Sequence, residues 1–358
     1  MEKHRQVFKK FATFDNLYNG YLLARRNKRY NDNVLAYSAN LEENLINDLN
    51  RLLWKEYEPG RLHAFYEYFP KMRLIHSLPF ADRVVNCAAY NALWPIYSRS
   101  FYEHSYGSIP GRGTERAVAK LQEWMRIVEN KPQKWYIGKM DIAKFFFRIP
   151  IDVQLRELGR PLDDPDMMWF LETAIRCDGR PFGLPLHCTD ITTAERVSGI
   201  GMQVGSLISQ MTANVVLTPL DHHIKRDLAA EYFIRSMDDM IILVPSKSQA
   251  WETVYAVDDF LRENLGLQLN NKTAVMPVGV GVEFIGRRIW PHKIELRKST
   301  TLQMKQHLRF VAEHYATGEL PLDYCVSVIQ SYLGMMKHCD CDALLKQTLE
   351  DYVLIKQS

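Results

Sequence analysis

Residues 233–245 read FIRSMDDMIILVP, and no other stretch limits the fold as tightly. Apolar, partly β-branched residues stand on both sides of Asp238 and Asp239, the pattern of two strands joined by a tight turn. Adjacent ionised carboxylates repel, and burying either one is costly unless a cation joins them. The pair is therefore either a solvated turn, where Asp is a common residue, or part of a metal site that takes a third acid from elsewhere.

The chain has room for both. Its 358 residues suffice for two or three subdomains and a substantial core. No apolar run approaches the roughly 18 residues of a membrane helix, and MEKHRQVFKKFATFDNLYNG lacks the unbroken apolar stretch of a signal peptide. Cys87, Cys177, Cys188, Cys325, Cys339 and Cys341 are scattered as reduced thiols are, so a cytoplasmic protein without a membrane partner is expected. Residues 1–130 carry 19 Lys and Arg against 14 Asp and Glu, and residues 131–290 carry 18 against 20. A basic front and a slightly acidic middle suit a protein that holds a polyanion and also binds cations.

Helical spacing dominates residues 1–60, interrupted by the basic segment Arg25 to Asn33. Residues 61–78 alternate around Pro70 and Lys71 and predict two short strands with a turn. A helix is expected from near Ala81, another over 115–130, and a strand from 134 that runs to the proline at 150. Residues 151–176 and 206–229 read as helices, with an irregular segment, 177–202, between them. Beyond the double-aspartate hairpin come a helix over 249–264, a short strand over 267–269, and the strand pair VEFIGRRIW and KIELR. Residues 300–358 are helical with a break at GELPLD. This order predicts an α+β domain with a mainly antiparallel sheet and a separate helical C-terminal unit.

Asp141, in YIGKMDIAKFFFRIP, ends an apolar strand about a hundred residues before the pair. It either caps the turn into IAKFF or is the third acid. Three carboxylates on one sheet face form a hard oxygen donor set that suits Mg²⁺, which fills its remaining positions with water and phosphate oxygens. Two such ions would activate a 3′-hydroxyl and stabilise leaving pyrophosphate. His338, Cys339 and Cys341 in KHCDCD are too few for a structural zinc site, which wants four ligands.

Six segments in order carry a family resemblance: FPKMRLIHSLPFADRVVNCAAYNALWPIYSRSFYEHSYGSIPGRGTERAV, KMDIAKFFFRI, VGSLISQMTANVVLTPLD, RSMDDMIIL, LGLQLNNKTAVMPVGVGVEFIGRRIWPHKIELRKST and SYLGMMKHCD. The chain resembles prokaryotic reverse transcriptases of the group II intron-like lineage, most of all those of diversity-generating retroelements. The resemblance implies a right-hand polymerase of fingers (1–130), palm with an antiparallel sheet (131–290) and helical thumb (291–358). It implies an RNA-directed DNA polymerase with two Mg²⁺ ions, Mn²⁺ being the alternative, and an RNA template, a DNA or RNA primer and dNTPs as partners.

Residue by residue, the resemblance assigns Asp141, Asp238 and Asp239 as catalytic metal ligands. It places Phe146, five positions after Asp141, under the incoming sugar, Lys71 and Arg73 at the triphosphate, and Gln210 and Lys272 at the nucleotide. Arg112 falls at template phosphate, and Phe284 to Gly286 at the primer grip. Two positions depart from the family pattern: Ser236 stands where a larger residue precedes the acids, and Gln203 where proline is common. Two roles follow from the resemblance, mutagenic copying with a small basic accessory protein, or phage defence with a dedicated noncoding RNA or synthesis without a conventional template. A non-catalytic RNA-binding scaffold is the alternative outside that class.

Overall fold

The computed structural model describes residues 3–67, 73–177, 180–185, 188 and 195–356. Lys71 and the turn around it lie outside the described residues, and so does the Arg73 side chain.

The N-terminal block packs α1 (Val7–Phe11), α2 (Phe14–Ala24), α3 (Asp32–Ala39) and α4 (Leu41–Leu53) around α5 (Phe80–Tyr97). Thr13 caps α2 by accepting the Asn16 N–H at 3.2 Å. Between α4 and α5 the chain leaves the block as the hairpin β1 (His63–Glu67) and β2 (Arg73–Ser77), whose strands, among the described residues, pair only with each other. Its exit is fastened at Asp82, which accepts the Gly60 N–H at 2.9 Å and the Tyr57 hydroxyl at 3.1 Å.

The central sheet has the order β4 (Tyr232–Ser236), β5 (Asp239–Val244), β3 (Tyr136–Asp141), β6 (Ala274–Pro277), antiparallel throughout. Its two faces alternate as strand geometry requires. Met140, Met240, Ile242 and Phe233 pack on α10 (Leu207–His222) and α11 (Lys247–Phe260). Ile137, Ile241, Leu243 and Ile234 pack on α6 (Thr114–Glu129) and on a second sheet of β7 (Val282–Phe284), β8 (Arg287–Trp290) and β9 (Lys293–Leu296). Between β3 and α10 lie α7 (Phe145–Arg148), α8 (Ile151–Gly159) and α9 (Pro165–Arg176). The chain ends in α12 (Lys298–Ala316), α13 (Leu322–Met336) and α14 (Asp342–Asp351). Asp340 ties this helical unit to β9 through two backbone-anchored bonds to Ile294, of 2.7 and 2.8 Å. Helices and antiparallel sheets thus combine in an α+β fold, and among the described residues no helix is long and apolar enough to cross a membrane.

Three expected elements differ. The strand from 134 stops at Asp141 rather than reaching Pro150, because Lys144 adopts a left-handed conformation (φ +52°) and starts the helical turn α7. The strand expected over 267–269 is a single bridge, Ile142 to Leu269, and the sheet edge is β6 further on. The run VEFIGRRIW is two strands, since Ile285 (φ +47°) and Gly286 (φ +76°) turn the chain between β7 and β8. Cys339 and Cys341 direct their thiols to the carbonyls of Met335 and Met336.

Candidate active site

The β4–β5 hairpin turns through Met237 and Asp238, with Met237 at φ +56°, a costly conformation for a residue with a side chain. Its surroundings hold it there. Arg235, fully buried, donates from Nη1 to the Met237 carbonyl at 3.1 Å and to Asn214 Oδ1 at 3.2 Å. Its Nε and Nη2 bind Asp221 bidentately at 2.7 and 2.6 Å, and Ser105 Oγ adds a third bond to that carboxylate at 3.0 Å. From the outer edge, Tyr106 N–H donates to the Arg235 carbonyl at 2.9 Å and Arg235 N–H to the His104 carbonyl at 3.1 Å. Gly107 then passes so close that a Cβ would stand 2.6 Å from Met237 N. A chain of matched polar contacts thus presents Asp238 at a fixed turn.

Asp141 and Asp239 face each other directly across β3 and β5. They project to the same sheet side as Lys139 and Ile241, toward the second sheet. Asn270 braces Asp141 twice, with its N–H on the Asp141 carbonyl at 2.8 Å and its side-chain amide on Asp141 Oδ2. Asn270 Oδ1 accepts the Lys272 N–H at 2.8 Å, so the exposed turn carrying Lys272 is anchored to the acid. Ile142 N–H donates to the Asp238 carbonyl at 3.2 Å, which closes the sheet between the two acids.

Asp239 is less well satisfied than Asp141. Among the described residues its Oδ1 is sealed from solvent with no hydrogen-bond partner, although the Ile285 N–H donates to the carboxylate. Burial pushes this carboxyl up to about 7; Asp141 and Asp238 push the same way, against the pull of Lys139. The Lys139 ammonium is itself bonded to the Glu283 carbonyl at 2.6 Å. A buried oxygen without a partner beside two further carboxylates is the environment a hard cation relieves. Among the described residues no group of three or more His, Cys, Asp or Glu side chains is gathered to hold a metal unaided. The donor set therefore fits an ion that takes one or two carboxylates and completes its shell with water and phosphate.

The remaining expected residues fall into two groups. Phe146 lies on α7, half-buried and edge-on to Phe145 at 5.4 Å. Gln210 lies half-buried in the first turn of α10, and Gly286 sits in the turn that brings Ile285 to Asp239. Away from them, the Phe284 side chain is 1% exposed in the core beneath the sheet. The Arg112 guanidinium is bonded to the Tyr102 and Ser105 carbonyls at 2.5 and 3.4 Å, bracing the loop beside the hairpin. Asn270, Asp221, Arg235, Ser105 and Gly107 had no sequence signal beyond ordinary turn, helix and strand composition. Only the doublet of asparagines before Lys272 marks a side chain able to fold a tight turn.

A family model described as reverse transcriptase (RNA-dependent DNA polymerase) matches residues 68–306. The chain is 23% identical over 322 residues to Protein YkfC of Escherichia coli, covering 79% of this chain and 81% of that one. It is 21% identical over 293 residues to a putative COX1/OXI3 intron 2 protein of Saccharomyces cerevisiae, covering 64% of this chain and 33% of that one. Among solved structures it is similar to telomerase from Candida albicans with a TWJ fragment of telomeric RNA (TM-score 0.45, 12% identity, 82% of this chain and 55% of that chain). It is also similar to apo telomerase from Candida tropicalis truncated from its C-terminal domain (TM-score 0.47, 10% identity, 68% of this chain and 55% of that chain).

Proposed function

The chain belongs to the reverse transcriptase (RNA-dependent DNA polymerase) family, and from that premise we propose that it extends a primer 3′-hydroxyl with dNTPs on an RNA template, using Asp141, Asp238 and Asp239 as ligands of two divalent ions. One observation carries this reading: Asp141 and Asp239 stand opposite each other across adjacent strands, and Asp239 keeps a buried oxygen without a partner. The all-oxygen donor set favours Mg²⁺, with Mn²⁺ as its substitute. When bound, the ions would polarise the primer hydroxyl and offset charge on the departing pyrophosphate.

The chain's own part is to hold these groups in place. Asn270 fixes the rotamer of Asp141 through its side-chain amide, and the same residue anchors the turn of Lys272. We assign Lys272 to the phosphate side of the nucleotide, together with Lys71 and Arg73, because cations there match the triphosphate charge. Phe146 is read as the platform under the sugar; a ring there excludes a 2′-hydroxyl by contact. Gln210 is assigned to the base or sugar. The turn at Ile285 and Gly286, whose N–H already reaches Asp239, is read as the seat of the primer end, and Arg112 as a brace of the template side. In this assignment residues 1–130 are fingers, 131–290 palm and 291–358 thumb.

Within the family we favour the diversity-generating retroelement type, on the Ser209–Gln210 pair in GSLISQ, with a small basic accessory protein as partner. The departures at Ser236 and Gln203 leave a second reading open, a phage-defence enzyme that copies a dedicated noncoding RNA or synthesises DNA without a conventional template. Extension of a DNA primer on an RNA template by purified protein with Mg²⁺, beside Asp238→Ala and a lane without template, tests both. Template-dependent extension that vanishes in the variant is the expected result, and misincorporation opposite adenine marks the retroelement type. Synthesis without template favours the defence reading. Equal activity of Asp238→Ala and the unaltered protein sinks the metal-ligand assignment.

A further inference from the structure

Residues 201–206 form a short loop that touches three parts of the molecule within six positions. The Gly201 and Met202 N–H groups donate to the carbonyls of Ile149 and Phe146, both at 2.8 Å. The next residue reaches the opposite way: Gln203, only 8% exposed, donates from Nε2 to the His76 carbonyl on β2 at 2.9 Å. At Gly205 (φ +104°) a Cβ would lie 4.0 Å from Ile75 Cγ2 of the same strand. Ser206 Oγ then contacts Asn86 Oδ1 on α5 at 3.3 Å. One peptide step therefore separates a bond to the backbone of Phe146 from a bond to the projecting hairpin.

The hairpin depends on such ties. A two-stranded sheet alone is marginally stable in water, and among the described residues β1 and β2 pair with no other strand. Besides Gln203, the seat of β2 includes an edge-on contact of His76 with Phe182 at 5.8 Å and the Arg83 guanidinium on the Ser77 hydroxyl. Among the described residues, the Gln203 bond is the one hydrogen bond from β2 to the loop that also holds Phe146.

We infer that Gln203 is a specificity-determining positioning residue, which fixes the separation between strand β2 and Phe146 and so sets how closely a nucleotide sugar is gripped. The inference rests on the reading of Phe146 proposed above. A proline at this position has no side-chain donor, so the hairpin would be held without this bond. Gln203 touches no reacting atom; it acts through the main chain of its neighbours.

The test is Gln203→Met, which keeps length and removes the donor, in the full chain with Mg²⁺. A lost buried hydrogen bond of ordinary strength corresponds to about a three- to tenfold effect. The KM for dNTPs should rise by that factor with kcat nearly unchanged, and discrimination against ribonucleotides should fall by a similar factor. Amide hydrogen exchange over 73–77 should quicken while α5 keeps its protection. Gln203→Asn, whose amide falls one methylene short, should behave alike and serves if the Met variant does not accumulate. Unchanged exchange over 73–77 in a folded variant overturns the inference, and so does a loss confined to kcat. The exchange measurement needs no activity, so it stands apart from Phe146→Ala: unchanged sugar discrimination in that variant sinks the reading of Phe146 alone.

Discussion

Asp221 and Asp239 flank the same hairpin and live under opposite rules. Asp221 is wholly buried, and both of its oxygens are bonded, to the Arg235 guanidinium and the Ser105 hydroxyl. Asp239 has one oxygen sealed and unbonded, with two like charges nearby. A carboxylate in a complete cage is part of the scaffold, because its charge is already matched. A carboxylate with a sealed oxygen left short of partners marks where matching is to come from outside the chain. The scaffold acid makes the other tolerable: Arg235, held by Asp221, clamps the Met237 carbonyl and with it the turn that bears Asp238.

Substitutions on the two sides should therefore fail differently. Asp141→Ala and Asp238→Ala should lower nucleotide incorporation by on the order of a thousandfold or more, the scale of a preorganised group acting on transition-state charge. Their circular dichroism and RNA binding should match those of the unaltered protein. Asp221→Ala should do the reverse, costing about 3–5 kcal/mol by leaving the Arg235 charge buried and alone. A urea titration measures that loss, and an Asp221→Ala protein of full stability would erase the distinction.

Proton binding sharpens the contrast. In the unfolded chain Asp239 ionises near 4, whereas in the fold its carboxyl stays protonated up to about 7. The folded state thus holds the extra proton between these values. Metal-free stability from this residue is complete below about pH 4 and declines as pH rises through about 7. Asp239→Asn should flatten that decline and be the more stable protein at pH 8, by at most about 4 kcal/mol. Unfolding curves in EDTA at pH 5 and pH 8 decide it, and parallel pH dependence in both proteins would count against the buried-acid account. A smaller effect is expected at Gly107→Ala. The new methyl would press on Met237, costing about 1–3 kcal/mol and lowering activity severalfold through the displaced turn.

Legibility in the sequence followed locality. The hairpin and Asp141 could be read because strand periodicity and an acid at its edge are features of a few consecutive residues. The turn at Ile285 and Gly286 could not, since an isoleucine at positive φ inside an apolar run has no local signature and is held by a bond to Asp239. The break after Asp141 was hidden for a similar reason: KFFFR is apolar enough for strand or helix, and Lys144 decides it through its backbone. Asp221 and Arg235 sit fourteen positions apart on a helix and a strand, so their pairing exists only in the packed sheet. Gln203 stood out in the sequence as a departure, but its partner on β2 lies 127 positions away.

The strand order has a consequence for how the protein comes into being. Strand β3 lies between β5 and β6, and Asn270, 129 positions after Asp141, braces that acid from beyond the hairpin. Pairings of such long sequence separation are the late, slow steps of folding, and synthesis delivers the chain from its N-terminus. On the ribosome, Asp141 must therefore wait 98 residues for Asp239 and 129 for Asn270. A chain that ends before β5 has the first acid without the other two, and the sheet closes around Asp141 only when β5, the Asn270 turn and β6 have emerged.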